Sequence, residues 1–280
     1  MAGELLEYSG LVAKARAMKG RLLKREDFER ISEYQTVEET IAFLREQESY
    51  GKIYGGHEEI KHRGQVEALI HNSILEDYRK LYKFGNAQQK KALELYYGQL
   101  QYEDSVPKIE EGYFTKIWKE IDAWKGKKTQ RVLWEVFGTQ IDWLNLMWMY
   151  RSKKFFGQQP DEIAAILIPI RYKLSHAQMK ALLEAEQIGQ YLELVAQTPY
   201  FKGKQALVQI QDEVSYRRIM QAMYQRVCGK YPSSMAPVFY YLYEKEQEIA
   251  RLTTALEGIR YQVPGKDIRE LILGGMEETL

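Results

Sequence analysis

The sequence predicts an all-α protein, and three observations carry that prediction. Apolar residues recur at spacings of three and four from the start of the chain. Capping pairs of the S/T-x-x-E/Q kind precede several of these apolar runs. All seven prolines fall between Pro107 and Pro264, and strict apolar–polar alternation is almost absent.

The elements follow in order. Leu5, Tyr8, Val12, Ala15 and Met18 share one face of a first helix. Thr36 and Glu39 form a capping box ahead of Ile41 and Leu44. Residues 57–84 read as one long helix with Ile60, Leu69, Ile70, Ile74, Tyr78 and Leu81 inward, weakened locally by Gly64. Asn86 and Gln89 precede Leu93, Tyr96, Tyr97 and Leu100 as a looser capping pair. Thr129 caps a helix carrying Val132, Leu133, Val136 and Phe137. Pro160 opens another helix, with Asp161 and Glu162 favourable beside its positive end. Ser175 and Gln178 cap one that carries Met179, Leu182 and Leu183. The best strand candidate is Ala206–Val214. All five tryptophans lie between Trp118 and Trp148; Trp143 and Trp148 interleave with Leu144, Leu146 and Met147 at helical spacing, the pattern of an aromatic core. The total is about a dozen helices joined by short loops.

Composition excludes several functions. The chain has 280 residues, 45% of them hydrophobic, enough for more than one helical core. Lys and Arg number 40 against 39 Asp and Glu, a net charge of +1. Nucleic-acid binding draws on a basic excess, so it is not expected. The longest apolar run, Ile163–Ile170, has far fewer than the roughly 20 residues that a spanning helix needs. Met1 leads straight into an amphipathic helix, with no signal peptide, and Cys228 is the single cysteine. The expectation is an intracellular protein without disulfides.

Catalytic and cofactor motifs are also missing. Gly126-Lys127-Lys128-Thr129 looks like the end of a phosphate loop. Ile121 stands where its first glycine belongs, and Lys128 displaces the hydroxyl residue. His57 and His62 are five residues apart, about 140° around a helix, so they do not share a face. No catalytic residue, cofactor or metal is expected.

Two internal matches organise the chain. Leu23–Tyr50 aligns with Leu174–Tyr200: Leu23 on Leu174, Phe28 on Met179, Ile31 on Leu182 and, after a one-residue deletion, Leu44 on Leu194 and Tyr50 on Tyr200. Residues 142–167 align with 248–272: Asp142 on Glu248, Leu146 on Leu252, Lys154 on Arg260 and, after another slip of one, Ile163 on Ile268. The middle of the chain therefore holds a complete repeat. The C-terminal end holds the first half of another and the N-terminal end its second half.

Three stretches carry a family resemblance. The first is Tyr8, Ala15-Arg16 and Leu22-Leu23, then Thr36 to Leu44 and Tyr50. The second runs from Gly112-Tyr113-Phe114 through Ile141-Asp142-x-x-Asn145-Leu146, Arg151-x-Lys153, Leu167-Ile168-Pro169 and Thr198-Pro199-Tyr200. The third is Tyr240, Glu244-Lys245-Glu246-x-Glu248-Ile249, Leu252, Gly258 and Ile268-Arg269-Glu270. In this order and spacing the chain resembles the C-type subunit of the V/A-type ATPase or ATP synthase, the family related to the d-type subunit of the eukaryotic vacuolar ATPase. Arg251 departs from the family pattern, where asparagine is frequent.

The resemblance implies three similar helical subdomains around a pseudo-threefold axis, forming a funnel, with divisions at 1–110, 111–205 and 206–280; the last can pack with the N-terminal helix. It implies a non-catalytic rotor component of the central stalk. Its partners would be shaft subunits of the D and F type and the membrane proteolipid ring, and its place the cytoplasmic face of the membrane. A helical-repeat adaptor of another complex is the alternative. Within that frame, Asp142 and Asn145 share a helix face and are expected to bond neighbouring helix ends and hold subdomains together. Arg151, Arg171, Glu244 and Glu248 are the candidates for the funnel wall that faces the shaft.

Overall fold

Helical spacing and capping produce helices nearly everywhere that the sequence pattern puts them. The computed structural model describes residues 2–51, 63–103, 112–201 and 213–274. Among the described residues the regular structure is all helical, with no strand. The elements are α1 (Ala2–Lys19), α2 (Arg25–Ser32), α3 (Val37–Glu46), α4 (Arg63–Phe84), α5 (Ala87–Glu103), α6 (Gly112–Asp122) and α7 (Lys127–Arg151). A π-helical turn (Ser152–Phe156) follows, then α8 (Pro160–Ile166), α9 (His176–Glu184), α10 (Ile188–Ala196), α11 (Glu213–Lys230), α12 (Ala236–Arg260) and α13 (Gly265–Leu273).

The capping pairs work as their spacing predicts. Thr36 Oγ1 accepts the Glu39 N–H at 3.3 Å, and the Glu39 carboxylate accepts the Thr36 N–H at 3.1 Å. Asn86 and Gln89 reciprocate in the same way before α5, as do Ser175 and Gln178 before α9. Pro160 stands at the head of α8, where Glu162 accepts the Gln159 N–H at 2.8 Å. Thr129 differs, because α7 starts two residues earlier and buries Thr129 within its first turn. The cause is Gly126. Its φ of +113°, open to glycine but not to most side chains, turns the chain into the helix early. The long helix expected over 57–84 is found as Arg63–Phe84; residues 57–62 lie outside the described residues. Of the strand candidate, residues 206–212 also lie outside them, while Glu213 and Val214 open α11.

The chain forms two compact units: Met1–Tyr97 with Pro237–Leu280, and Gly98–Ala236. In the first, α1 packs on α4 and α2 on α13. Its core gathers Phe239, Tyr241, Leu242, Leu252 and Leu256 of α12 with Phe28, Ile31, Leu44 and Tyr50. No residue of α12 is exposed. A helix covered on every side is the axis of its unit.

In the second unit α7 has that role, with no exposed residue from Val132 to Tyr150. It packs against α6, α10, α11 and the π-helical turn. The tryptophans are core residues here. Trp143 lies against Phe201 and Tyr216, while Trp118 and Trp148 cover Ile141, Ile168 and Ile170.

The internal matches have a structural counterpart within the units. The segment of α2 and α3 is answered by that of α9 and α10, with Phe28 and Ile31 buried as Met179 and Leu182 are. The helix α7 is answered by α12. The first unit joins the two ends of the chain, the half-repeats of the internal matches.

The slip between Lys154/Arg260 and Ile163/Ile268 also has a physical cause. The second unit has one residue more there. The π-helical turn Ser152–Phe156 takes it up, because an i→i+5 turn holds one residue more than an α turn. Beyond it the segments return to step: Gly157 (φ +58°) and Gln262 (φ +53°), at matched positions, both take the left-handed conformation that ends the helix.

Gln262 adopts without a glycine what Gly157 adopts freely. A left-handed L-residue costs about 1–2 kcal/mol, and glycine's extra unfolded-state entropy offsets about 0.5–1 kcal/mol of the gain from removing that strain. Gln262→Gly is therefore expected to raise the stability of its unit by about 0.5–1 kcal/mol in urea unfolding. A lowered urea midpoint would show that this turn is not strained.

Candidate functional site

The most densely bonded polar group of the second unit is Asp142, fully buried in the middle of α7. Its Oδ1 accepts the Tyr172 N–H at 3.0 Å. Its Oδ2 accepts the N–H groups of Lys173 and Leu174, at 2.7 and 3.2 Å, and the Tyr200 hydroxyl at 2.7 Å. The carboxylate thus takes the place of a backbone partner for the chain that enters α9, and pins the end of the α9–α10 segment through Tyr200. Burial, followed by the charge of Asp142, pushes the Tyr200 hydroxyl far above its usual range, so it remains a donor. One turn before Asp142, Gly138 lets Tyr172 approach α7: a Cβ there would lie 2.4 Å from the ring.

Asn145 continues the same seam. Its side-chain amide donates to Ile168 O at 3.0 Å, and its oxygen accepts the Ile168 N–H at 2.9 Å. Lys153, in the π-helical turn, donates to Leu183 O and Ala185 O, both at 2.7 Å, and so satisfies the last carbonyls of α9.

The first unit repeats the device with the matched residues. Glu248 of α12, at the position of Asp142, accepts the N–H of Leu23 and, at 2.7 Å, the hydroxyl of Tyr50. Leu23 and Tyr50 are the matches of Leu174 and Tyr200. Glu248 receives fewer N–H groups, and a buried cation compensates. Lys245 Nζ lies 2.6 Å from Glu248 Oε1, donates to Tyr50 Oη at 2.8 Å and rests 3.9 Å over the Tyr50 ring. The position matching Lys245 in the second unit holds Thr139.

A surface cluster supports the second clamp. Glu135 binds Lys173 at 2.9 Å and the Arg226 guanidinium at 2.8 Å. Burial alone would raise the Glu135 pKa; the hydrogen bonds from Arg226 and Lys173 outweigh it and hold the carboxyl at about 2. Between Tyr200 and α11 lies a cleft of about 230 Å³, lined by Thr139, Phe201, Ile219 and Met223 among others. Among the described residues no three His, Cys, Asp or Glu side chains come together as a metal site would need.

The sequence-derived candidates separate on this geometry. Asp142 and Asn145 both bond the 168–174 stretch, within one unit. Arg151 and Arg171 are exposed. Glu244 is half-buried, with Lys19 at 3.9 Å. Glu248 does not fit a partner-facing role: it is buried, and both of its oxygens are taken within its own unit. No motif marks Tyr50, Tyr200 or Lys245 as a site residue. The signal for the two tyrosines lies in the internal matches, which pair Leu23 with Leu174, Tyr50 with Tyr200 and Asp142 with Glu248 in two separate alignments.

The model of the ATP synthase (C/AC39) subunit family matches residues 11–105 and 108–271 of this chain. The chain belongs to that family. The C/AC39 chain is also similar to the C-type subunit of the A-type ATP synthase of Pyrococcus horikoshii, with 27% identity over 170 residues. That alignment takes in 57% of this chain and 44% of the relative, so the chain spans less than half the length of the curated relative that it matches. Both clamps of the C/AC39 chain lie within the matched residues, Leu23 and Glu248 included. No helix among the described residues is long and apolar enough to cross a membrane.

Breaking either clamp leaves buried partners unsatisfied. Asp142→Asn turns an NH₂ group toward N–H donors and is expected to cost about 2–4 kcal/mol. Glu248→Gln strips Lys245 of its counter-charge and is expected to cost about 3–5 kcal/mol. Urea unfolding of the two variants measures both; a loss within about 0.5 kcal/mol for either, the range of an ordinary surface substitution, would show that its clamp does not hold the unit.

Proposed function

We propose that this C/AC39 protein couples the central shaft of a V/A-type rotary ATPase to its membrane proteolipid ring, and carries torque without making or breaking bonds. In this reading the chain is three similar helical subdomains (1–110, 111–205 and 206–280) around a pseudo-threefold axis. The funnel they form receives shaft subunits of the D and F type. The protein sits at the cytoplasmic face of the membrane, attached through the ring, and serves ATP-linked proton or sodium transport. The observation that carries the reading is the family match from residue 11 to residue 271.

The physics of the units supports a mechanical role. A coupling part must keep its shape under load, and close-packed helices resist compression. Each unit is built on a 25-residue helix, α7 or α12. Each of those helices is tied at mid-length to a returning loop by a buried carboxylate. Side chains that meet the shaft must reach out of their unit. Arg151 and Arg171 do so, and Glu244 in part, so these three remain the proposed shaft contacts.

A tagged copy of the full chain, recovered from gently solubilised membranes of its source, tests the proposal by mass spectrometry of its partners. Shaft subunits and a proteolipid are expected. Recovery of soluble partners alone, with no ATPase component, would contradict the rotor role and leave a helical adaptor.

A further inference from the structure

Single exposed apolar residues are ordinary on protein surfaces. A recurrence at repeat-matched positions is not. After the π-helical turn, residue n of the second unit matches residue n + 105 of the first, as Ile163 matches Ile268. On that register Phe156 falls on Tyr261 and Ile166 on Leu271. All four are exposed: Phe156 73%, Tyr261 67%, Ile166 48% and Leu271 59%. The residues between them that build the core match as well, since Ile163 and Ile268 are both buried. Each unit therefore leaves the same two apolar positions uncovered, the aromatic where its long helix ends and the aliphatic at the far end of the next short helix.

The charge around the aromatics also recurs. From Asp142 to Asp161 the chain has Arg151, Lys153 and Lys154 and no acidic residue between; from Glu257 to Asp267 it has Arg260 and Lys266 and again none. The extra residue of the π-helical turn adds a third exposed ring at the first corner, Phe155, at 64%. It lies edge-on to Tyr150, with Lys154 beside both rings.

A feature kept twice in a repeated protein fits a partner that is itself repeated. Two equal corners can each meet one of several identical elements, whereas a single shaft offers no second copy of a site. We infer that the corner of α7 with α8 and the corner of α12 with α13 are equivalent docking points for a ring of identical subunits. The charge of the corners calls for ring loops that present apolar and acidic side chains together. The inference rests on the rotor reading and assigns its ring-facing residues: Phe156 and Ile166 in one unit, Tyr261 and Leu271 in the other.

The test is binding of the full chain to the purified proteolipid ring in detergent, with shaft binding and thermal unfolding measured in parallel. The variants are Phe156→Ser with Ile166→Ser, Tyr261→Ser with Leu271→Ser, and all four together. Each pair is expected to weaken ring binding roughly tenfold and the four together roughly a hundredfold, with shaft binding and the unfolding midpoint unchanged. Leu6→Ser with Phe84→Ser, exposed apolar residues outside both corners, is expected to bind as the parent does. Should the fourfold variant bind the ring like the parent, the corners are not the docking points and the rotor reading stands. Should the parent itself fail to bind the ring, the rotor reading and the corners fall together. Where the fourfold variant unfolds early, Lys154→Glu with Lys266→Glu probes the same corners through charge, with the same weakening expected and parent-like binding counting against them.

Discussion

Moving an ionised carboxylate out of water costs several kcal/mol per ion, even after the protein relaxes. Both units place one at the middle of their longest helix. Neither is tolerable alone, and each is made tolerable by a loop that returns its own unsatisfied N–H groups to the same point. Asp142 accepts three backbone N–H groups and a tyrosine hydroxyl; Glu248 accepts one N–H, a tyrosine hydroxyl and a lysine. The loop cannot drift without stranding the charge, and the charge cannot turn without stranding the loop. The rest follows from this mutual requirement. Tyr172 must press close, so position 138 is glycine, and the paired helices that follow Leu23 and Leu174 are held to the axis of their unit at both ends.

The two clamps also show how one device survives a change of parts. The longer Glu248 side chain receives fewer N–H groups than Asp142, and Lys245 supplies the missing positive charge. The π-helical turn solves a similar problem for the backbone. One added residue would rotate everything after it by about 100° around a helix. Confined to a wider turn, the residue leaves Gly157, Ile163 and Ile166 in step with Gln262, Ile268 and Leu271. The same turn carries Lys153, whose ammonium satisfies the end of α9.

Much of the fold is legible in the sequence because its causes are local. The capping pairs at Thr36, Asn86 and Ser175 act across three residues, and their sequence signature is their geometry. Thr129 resembles a cap and is not one, because the turn that starts α7 is set by the glycine before it, and a positive φ leaves no periodic trace. The clamps are half legible. Each match can be seen, but that the two meet at one carboxylate depends on contacts of up to 225 residues in sequence separation. Glu248 resembles a partner-surface residue for a related reason. On a helix buried all round, polar residues interrupt the apolar pattern just as they do on an exposed face, and periodicity alone cannot tell an internal ion pair from a wall charge.

A C/AC39 protein built in this way has its stiffness in the clamps and its partner-facing chemistry at helix ends and corners. The central claim is that each returning loop is locked to a buried carboxylate, and amide hydrogen exchange reads that lock directly. The Leu23, Lys173 and Leu174 N–H groups belong to loops with no helical bond of their own. They are predicted to exchange only when their unit unfolds, with protection close to that of the central amides of α12 and α7. Exchange of these three at the rate of exposed turn amides, under conditions where both helices stay protected, would contradict the account.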